Sequence, residues 1–136
     1  MTSISLGFDA HLPGVAVDQA ISRVTAALAA EGFGVLTEID VAATLKKKLD
    51  VGFRPYVILG ACNPQLAHRA LQADPQIGLL LPCNVVVQDA PGGALVSIAS
   101  PRAMFSLVNQ PDLQPIVAEA DARLRRVTAA LLAPAA

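Results

Sequence analysis

Apolar and polar side chains alternate from Ser3 to Phe8, with Ile4, Leu6 and Phe8 on one side and Ser3, Ser5 and Gly7 on the other. A period of two predicts a strand with one buried face. His11, Pro13 and Gly14 read as the connection after it. The period then changes. Val17, Ala20, Ile21, Val24, Ala27 and Leu28 recur at helical spacing, with Asp18 and Gln19 in the first turn, where the helix dipole favours acceptors. Gly32 is the residue expected to end this helix, because glycine adopts left-handed backbone angles freely. A second strand is predicted over Gly34 to Ile39, and Asp40 is placed to cap a short helix on which Val41, Leu45 and Leu49 share a face. The last turns of that helix hold Lys46, Lys47 and Lys48, cations suited to the negative end of the dipole.

The run PYVILGA, Pro55 to Ala61, is β-branched and aromatic and too short for a buried helix, so it predicts a core strand. It leads into Cys62-Asn63-Pro64, in which Asn63 is a strong helix cap and Pro64 fits the first helical position. The helix predicted from Pro64 to Ala73 stops before Asp74-Pro75. Leu79 to Leu81 and Asn84 to Gln88 form an apolar stretch interrupted at Pro82-Cys83. Asp89-Ala90-Pro91-Gly92-Gly93 is turn chemistry, and Ala94 to Ala99 returns as the second arm of a hairpin. Ser100-Pro101 starts a short helical turn. Beyond Pro111-Asp112 a final helix carries the stripe Leu113, Ile116, Val117, Ala120, Leu124, Val127 and Leu131, with Glu119/Arg123 and Asp121/Arg125 as i,i+4 pairs on its solvent side. The order predicts an α+β domain of two layers, helices packed on a mixed sheet of about five strands.

The 136 residues make one domain, 1–136, with a single core. With 54% hydrophobic and 15% charged residues, the chain is no disordered polymer. Ten Lys and Arg stand against eleven Asp and Glu, and aromatics are 4% of the chain. Concentrated positive charge and stacking rings are therefore missing, and nucleic acid is excluded as a partner. The longest apolar run, Ile77 through Val87, is interrupted by Gly78, Pro82 and Asn84 and falls short of the ~20 residues that span a bilayer, so no membrane partner is expected. The first residues lack the basic start and long apolar run of a signal peptide, and two cysteines are too few for a disulfide scaffold. A cytoplasmic protein with reduced thiols is the expectation. So few charges over so much apolar surface also predict a subunit contact, a homodimer.

Chemistry-bearing residues gather at two Cys-Asn turns. Cys62 just precedes a helix start, where free N–H groups and the dipole lower a thiol's pKa and attract anions, although an unpaired cysteine also serves as a small buried plug. Cys83 repeats the dipeptide with Asn84, 21 residues on. This is no C-x-x-C motif. A zinc site would need His11, His68 or a carboxylate in addition, so neither a metal nor a cofactor is assigned. Glu38 has no evident structural task and stands as a candidate site carboxylate, which Arg54 meets if their strands are neighbours. No Ser-His-Asp order, P-loop, G-x-G-x-x-G or H-E-x-x-H occurs, so hydrolase and nucleotide chemistry find no local support.

Five stretches carry a resemblance: Glu38-Ile39-Asp40-Val41, Thr44-Leu45-Lys46, Phe53-Arg54-Pro55-Tyr56, Ile58 through Pro64, and Leu79 through Val85. In these the chain resembles the family called domain of unknown function 302, over nearly its whole length. The resemblance implies a small two-layer α+β protein, commonly a dimer, and implies no reaction. It places Glu38, Arg54, Cys62, Asn63, Cys83 and Asn84 in shared motifs. The hairpin Gln88 to Gly93 is less acidic than the resemblance leads one to expect, and no function is carried on it. Three readings follow: a small-molecule or anion binding module with Glu38, Arg54, Cys62, Asn63, Cys83 and Asn84 as ligand-binding residues, a protein using Cys62/Cys83 thiol chemistry, and a purely structural homodimer.

Overall fold

The computed structural model describes residues 5–133. Five strands, β1 (Gly7–Pro13), β2 (Gly34–Asp40), β3 (Tyr56–Cys62), β4 (Cys83–Ala90) and β5 (Gly93–Ala99), form one sheet in the order β1-β5-β4-β3-β2. Helices α1 (Val17–Ala30), α2 (Val41–Leu49), α3 (Pro64–Ala73), the short α4 (Pro101–Met104) and α5 (Gln114–Leu132) connect or follow them, with 3-10 turns at Pro75–Leu80 and Pro111–Leu113. The two-layer α+β reading holds, and so does the count of five strands. The expected mixture of strand directions does not, because all four pairings are antiparallel. The reason is geometric. After β2 and again after β3 the chain returns at the end of the sheet it has just left, setting Val57 against Asp40 and Cys83 against Ala61, so each next strand runs backwards. Only α1 crosses the sheet, joining its two edge strands.

The first strand begins later than the alternation suggested. It runs from Gly7 to Pro13, with Ala10 and Leu12 turned into the core, so His11 and Pro13 belong to the strand and not to a connection. Ser3 and Ile4 lie outside the described residues. Pairing decides the point: β5 offers seven consecutive partners, from Ala99 opposite Gly7 to Gly93 opposite Pro13. Gly32 ends α1 at φ 83, and Asp40 caps α2 by accepting from the Ala43 amide at 2.9 Å. The β4–β5 hairpin turns on Pro91 and Gly92, the proline fixing φ at the first central position and the glycine, at φ 80, taking the second.

One face of the sheet is covered. Val57 and Leu59 of β3, Val85 and Val87 of β4, and Val96 and Ile98 of β5 pack against Val24 and Leu28 of α1 and Leu124 and Val127 of α5. In place of the single core expected, a second, smaller one joins α3, the 3-10 turn after it and the start of α5 through Leu66, Ile77, Leu113, Ile116 and Val117. The stripe on the last helix therefore serves two cores in succession. The apolar face expected on α2 finds no core, since no residue of that helix is buried and Leu49 is exposed. Asp121 also departs from expectation. It is 2% exposed and not on the solvent side of α5. Its carboxylate accepts from Ser100 Oγ at 3.2 Å and from Arg125 Nε at 2.8 Å, with Arg102 Nε at 3.5 Å, and so ties the end of β5 to the last helix. Burial alone would raise its pKa, but the hydrogen bonds from Arg125 and Ser100 outweigh that and hold the carboxyl below the ordinary range. No described helix is long and apolar enough to cross a membrane.

Candidate functional site

The two Cys-Asn turns meet. Cys83 stands opposite Ala61 in the β3–β4 register, one residue from Cys62, and both cysteines line a single cavity of about 40 Å³ between the strand ends, α3 and the start of α5. Its walls are apolar: Phe33 and Ala61 on the sheet side, Ala67 and Ala70 from α3, and Ile116 and Ala120 from α5. Four alanines at these positions leave the space that longer side chains would fill. Across a wall made of Leu81, Cys83, Pro101 and Phe105 lies a groove of about 220 Å³, lined also by Leu79, Leu80, Asn84 and Met104.

Asn63 has a structural task at this place. Its side-chain oxygen accepts from the Leu66 amide at 3.1 Å, its own carbonyl accepts from the Ala67 amide at 2.9 Å, and its amide nitrogen packs beneath the Gly32 turn so closely that a Cβ on Gly32 would stand 2.9 Å away. Little at the helix start is left to activate Cys62: Pro64 has no N–H to offer, the amides of Leu66 and Ala67 are spent on Asn63, and only that of Gln65 remains. Burial instead pushes the Cys62 thiol up. Cys83 is pushed up to about 11, first by burial and then by the neighbouring Cys62. Both thiols are neutral near pH 7, and the expected low-pKa thiolate at Cys62 is corrected.

Of the six candidate site residues, Cys62, Asn63 and Cys83 line the cavity and Asn84 lies in the groove beyond the wall. Glu38 and Arg54 lie toward the other end of the sheet. Glu38 pairs with Leu59 in register and lines a surface groove with Asp18, Asp40 and Phe53. Arg54 meets Gln88, donating from Nε to Oε1 at 2.9 Å, and its guanidinium sits 4.6 Å from the centre of the Phe53 ring. The ion pair imagined between Glu38 and Arg54 is thus replaced by an amide and an aromatic partner. Among the described residues no three of His, Cys, Asp and Glu stand together as a metal site. The residues that sequence reasoning missed are the wall, Leu81 and Phe105, and the α5 contributors Ile116 and Ala120, which read as ordinary core in the helical stripe.

The profile of a family described as Domain of unknown function DUF302 matches residues 9–131. Among solved structures, the chain is similar to the crystal structure of an uncharacterized conserved protein DUF302 from Bacillus stearothermophilus. The two are 30% identical, with a TM-score of 0.84, over 93% of this chain and 98% of that one. Among curated proteins, none matches.

Proposed function

Since the chain belongs to the DUF302 family, which is defined by a shared domain and not by a reaction, we propose its function from its own geometry: a small-molecule binding module whose ligand occupies the cavity beneath the Cys62-Asn63 turn. The observation that carries this is an apolar cavity at the junction of the two cores, lined by Cys62, Asn63 and Cys83, in a domain whose other core positions are mostly Leu, Ile and Val. Small apolar cavities stay dry and take up apolar guests. The same lining argues against an anion, because no charged side chain of the described residues faces the cavity and two of the helix-start amides beside it, those of Leu66 and Ala67, serve Asn63. Thiol catalysis is disfavoured by the raised pKa of both cysteines. Xenon-saturated buffer tests the proposal: the amide resonances of Ala67, Leu113 and Ala120 should shift while those at the β4–β5 hairpin stay in place. Absence of shifts at the cavity would remove the reading.

The module works as a homodimer in this reading, through the sheet face that no described helix buries. On that face Ile39, Ile58 and Val86 form one row across three strands, and Tyr56, Gln88 and Leu95 form another. Val85-Val86-Val87 and Tyr56-Val57-Ile58-Leu59 are unbroken apolar runs, the composition of strands covered on both sides. Five strands of about seven residues present a projection of roughly 24 by 23 Å, ~550 Å² before the relief of the side chains is counted. That approaches the ~800 Å² per partner of a stable interface. Light scattering at micromolar concentration should give twice 14.0 kDa for the wild type, and Ile58→Asp should give the monomer. A wild-type monomer at all concentrations would refute the dimer.

A further inference from the structure

The cavity and the groove adjoin, and Leu81, Cys83, Pro101 and Phe105 line both. Phe105 is the movable one of the four. It follows a helix of four residues, packs half-buried against the edge of the smaller core, and is succeeded by Leu107 at 96% exposure, so its ring can turn toward solvent without breaking into the larger core. On the far side of the groove Leu79 is 85% exposed in the 3-10 turn. The geometry points to one continuous site for a neutral amphiphile with an unbranched aliphatic tail, which enters between Leu79 and Met104, displaces Phe105 and passes Cys83 to end against Ile116. Shape and charge both select this class. A cavity of about 40 Å³ opening on a groove of about 220 Å³ accepts a narrow chain where it would refuse a fused ring. Polar character at the outer end comes from the exposed amide of Asn84, which donates and accepts hydrogen bonds, and no Lys or Arg among the described residues lines either space to pair with an anionic head. The neutral thiols along the path suit an apolar tail.

This inference rests on the cavity being a binding place, and its test separates the two. Full-length protein is titrated with butanol, hexanol, octanol, decanol and octanoate while backbone amide shifts are followed at neutral pH. Affinity should rise about fourfold per methylene up to the length the joined space holds. Octanoate should bind severalfold more weakly than octanol, since its carboxylate loses hydration and finds no cation. Phe105→Ala should raise octanol affinity, whereas Ala120→Leu, which fills the inner cavity, should cut it at least tenfold. Ala67→Val provides the same filling from α3 if the first substitution perturbs folding. Butanol that shifts the cavity amides without any gain on lengthening the chain, or octanoate that equals octanol, overturns the amphiphile and leaves a smaller-ligand cavity. No shift at Ala67, Phe105 and Ala120 with any alcohol overturns the cavity reading and this inference with it.

Discussion

Ellman's reagent, a disulfide that reports each thiolate it captures, should distinguish the two cysteines by a margin the structure sets. The Cys83 thiol lies at about 11 because it is buried and because Cys62 adjoins it. At pH 8 a thiol with the ordinary pKa of about 8.5 is roughly one-quarter ionised, whereas one at 11 is ionised about once in a thousand, a deficit of roughly 240-fold. The rarer thiolate is the more basic and hence the better nucleophile. With a Brønsted slope of about 0.45 it recovers roughly 13-fold, which leaves a net slowing of roughly twentyfold before access to the buried sulfur is considered. Cys62 is raised by burial alone and lacks the second cause, so it should react ahead of Cys83 and behind a free thiol. The rates come from Cys62→Ser and Cys83→Ser proteins, each retaining one thiol; Cys62→Ser also removes the second cause acting on Cys83, so the slowing it shows is that of burial and, before access is counted, stays below roughly twentyfold. Reaction of Cys83 at the rate of free cysteine, or ahead of Cys62, would refute the reasoning about burial at this junction.

Leu124→Ala should lower unfolding free energy by about 2–5 kcal/mol in urea denaturation, because the side chain is fully enclosed in the larger core. Asp121→Asn should cost about 1.5–3 kcal/mol near pH 7, since it removes the charged acceptor of Ser100 and Arg125. With its folded pKa depressed, Asp121 stabilises above the unfolded value of about 3.9 and loses that contribution as pH falls through the folded one, so the difference from wild type should close in acid. Cys83 has the opposite sign. Its contribution is complete below the unfolded pKa of about 8.5 and is lost as pH rises through about 11, and Cys83→Ala should flatten the urea-midpoint decline across that window. Gly60→Ala should destabilise by about 1–3 kcal/mol, since its Cβ would collide with Thr37 Oγ1 and the Pro82 ring.

Local chemistry was legible wherever one residue decides it. Gly32, Asp40 and Asn63 end or cap helices as their side chains and backbone freedom dictate. The core was legible too, in the runs through β3 and β5 and in the stripe on α5. Long-range pairing overrode the pattern elsewhere. β1 was set by its seven partners on β5, which drew His11 and Pro13 into a strand. The α2 stripe misled because Leu49 has the right spacing and no core opposite it. At the site, the β3–β4 register brings together two Cys-Asn dipeptides whose 21-residue spacing left their meeting open. Periodicity could not reveal that Asn63 uses the helix-start amides, nor that Phe105 and Ala120 bound a cavity, because an absence of volume has no pattern along a chain.

A crystal structure of the protein grown with octanol decides whether the two spaces form one site. One continuous rod of density is expected from Asn84 past Cys83 to Ile116, with the Phe105 ring turned away from Leu81 and Pro101. Density confined to the open sheet face around Ile58 and Val86, with Phe105 in its present place and the cavity closed, would contradict it.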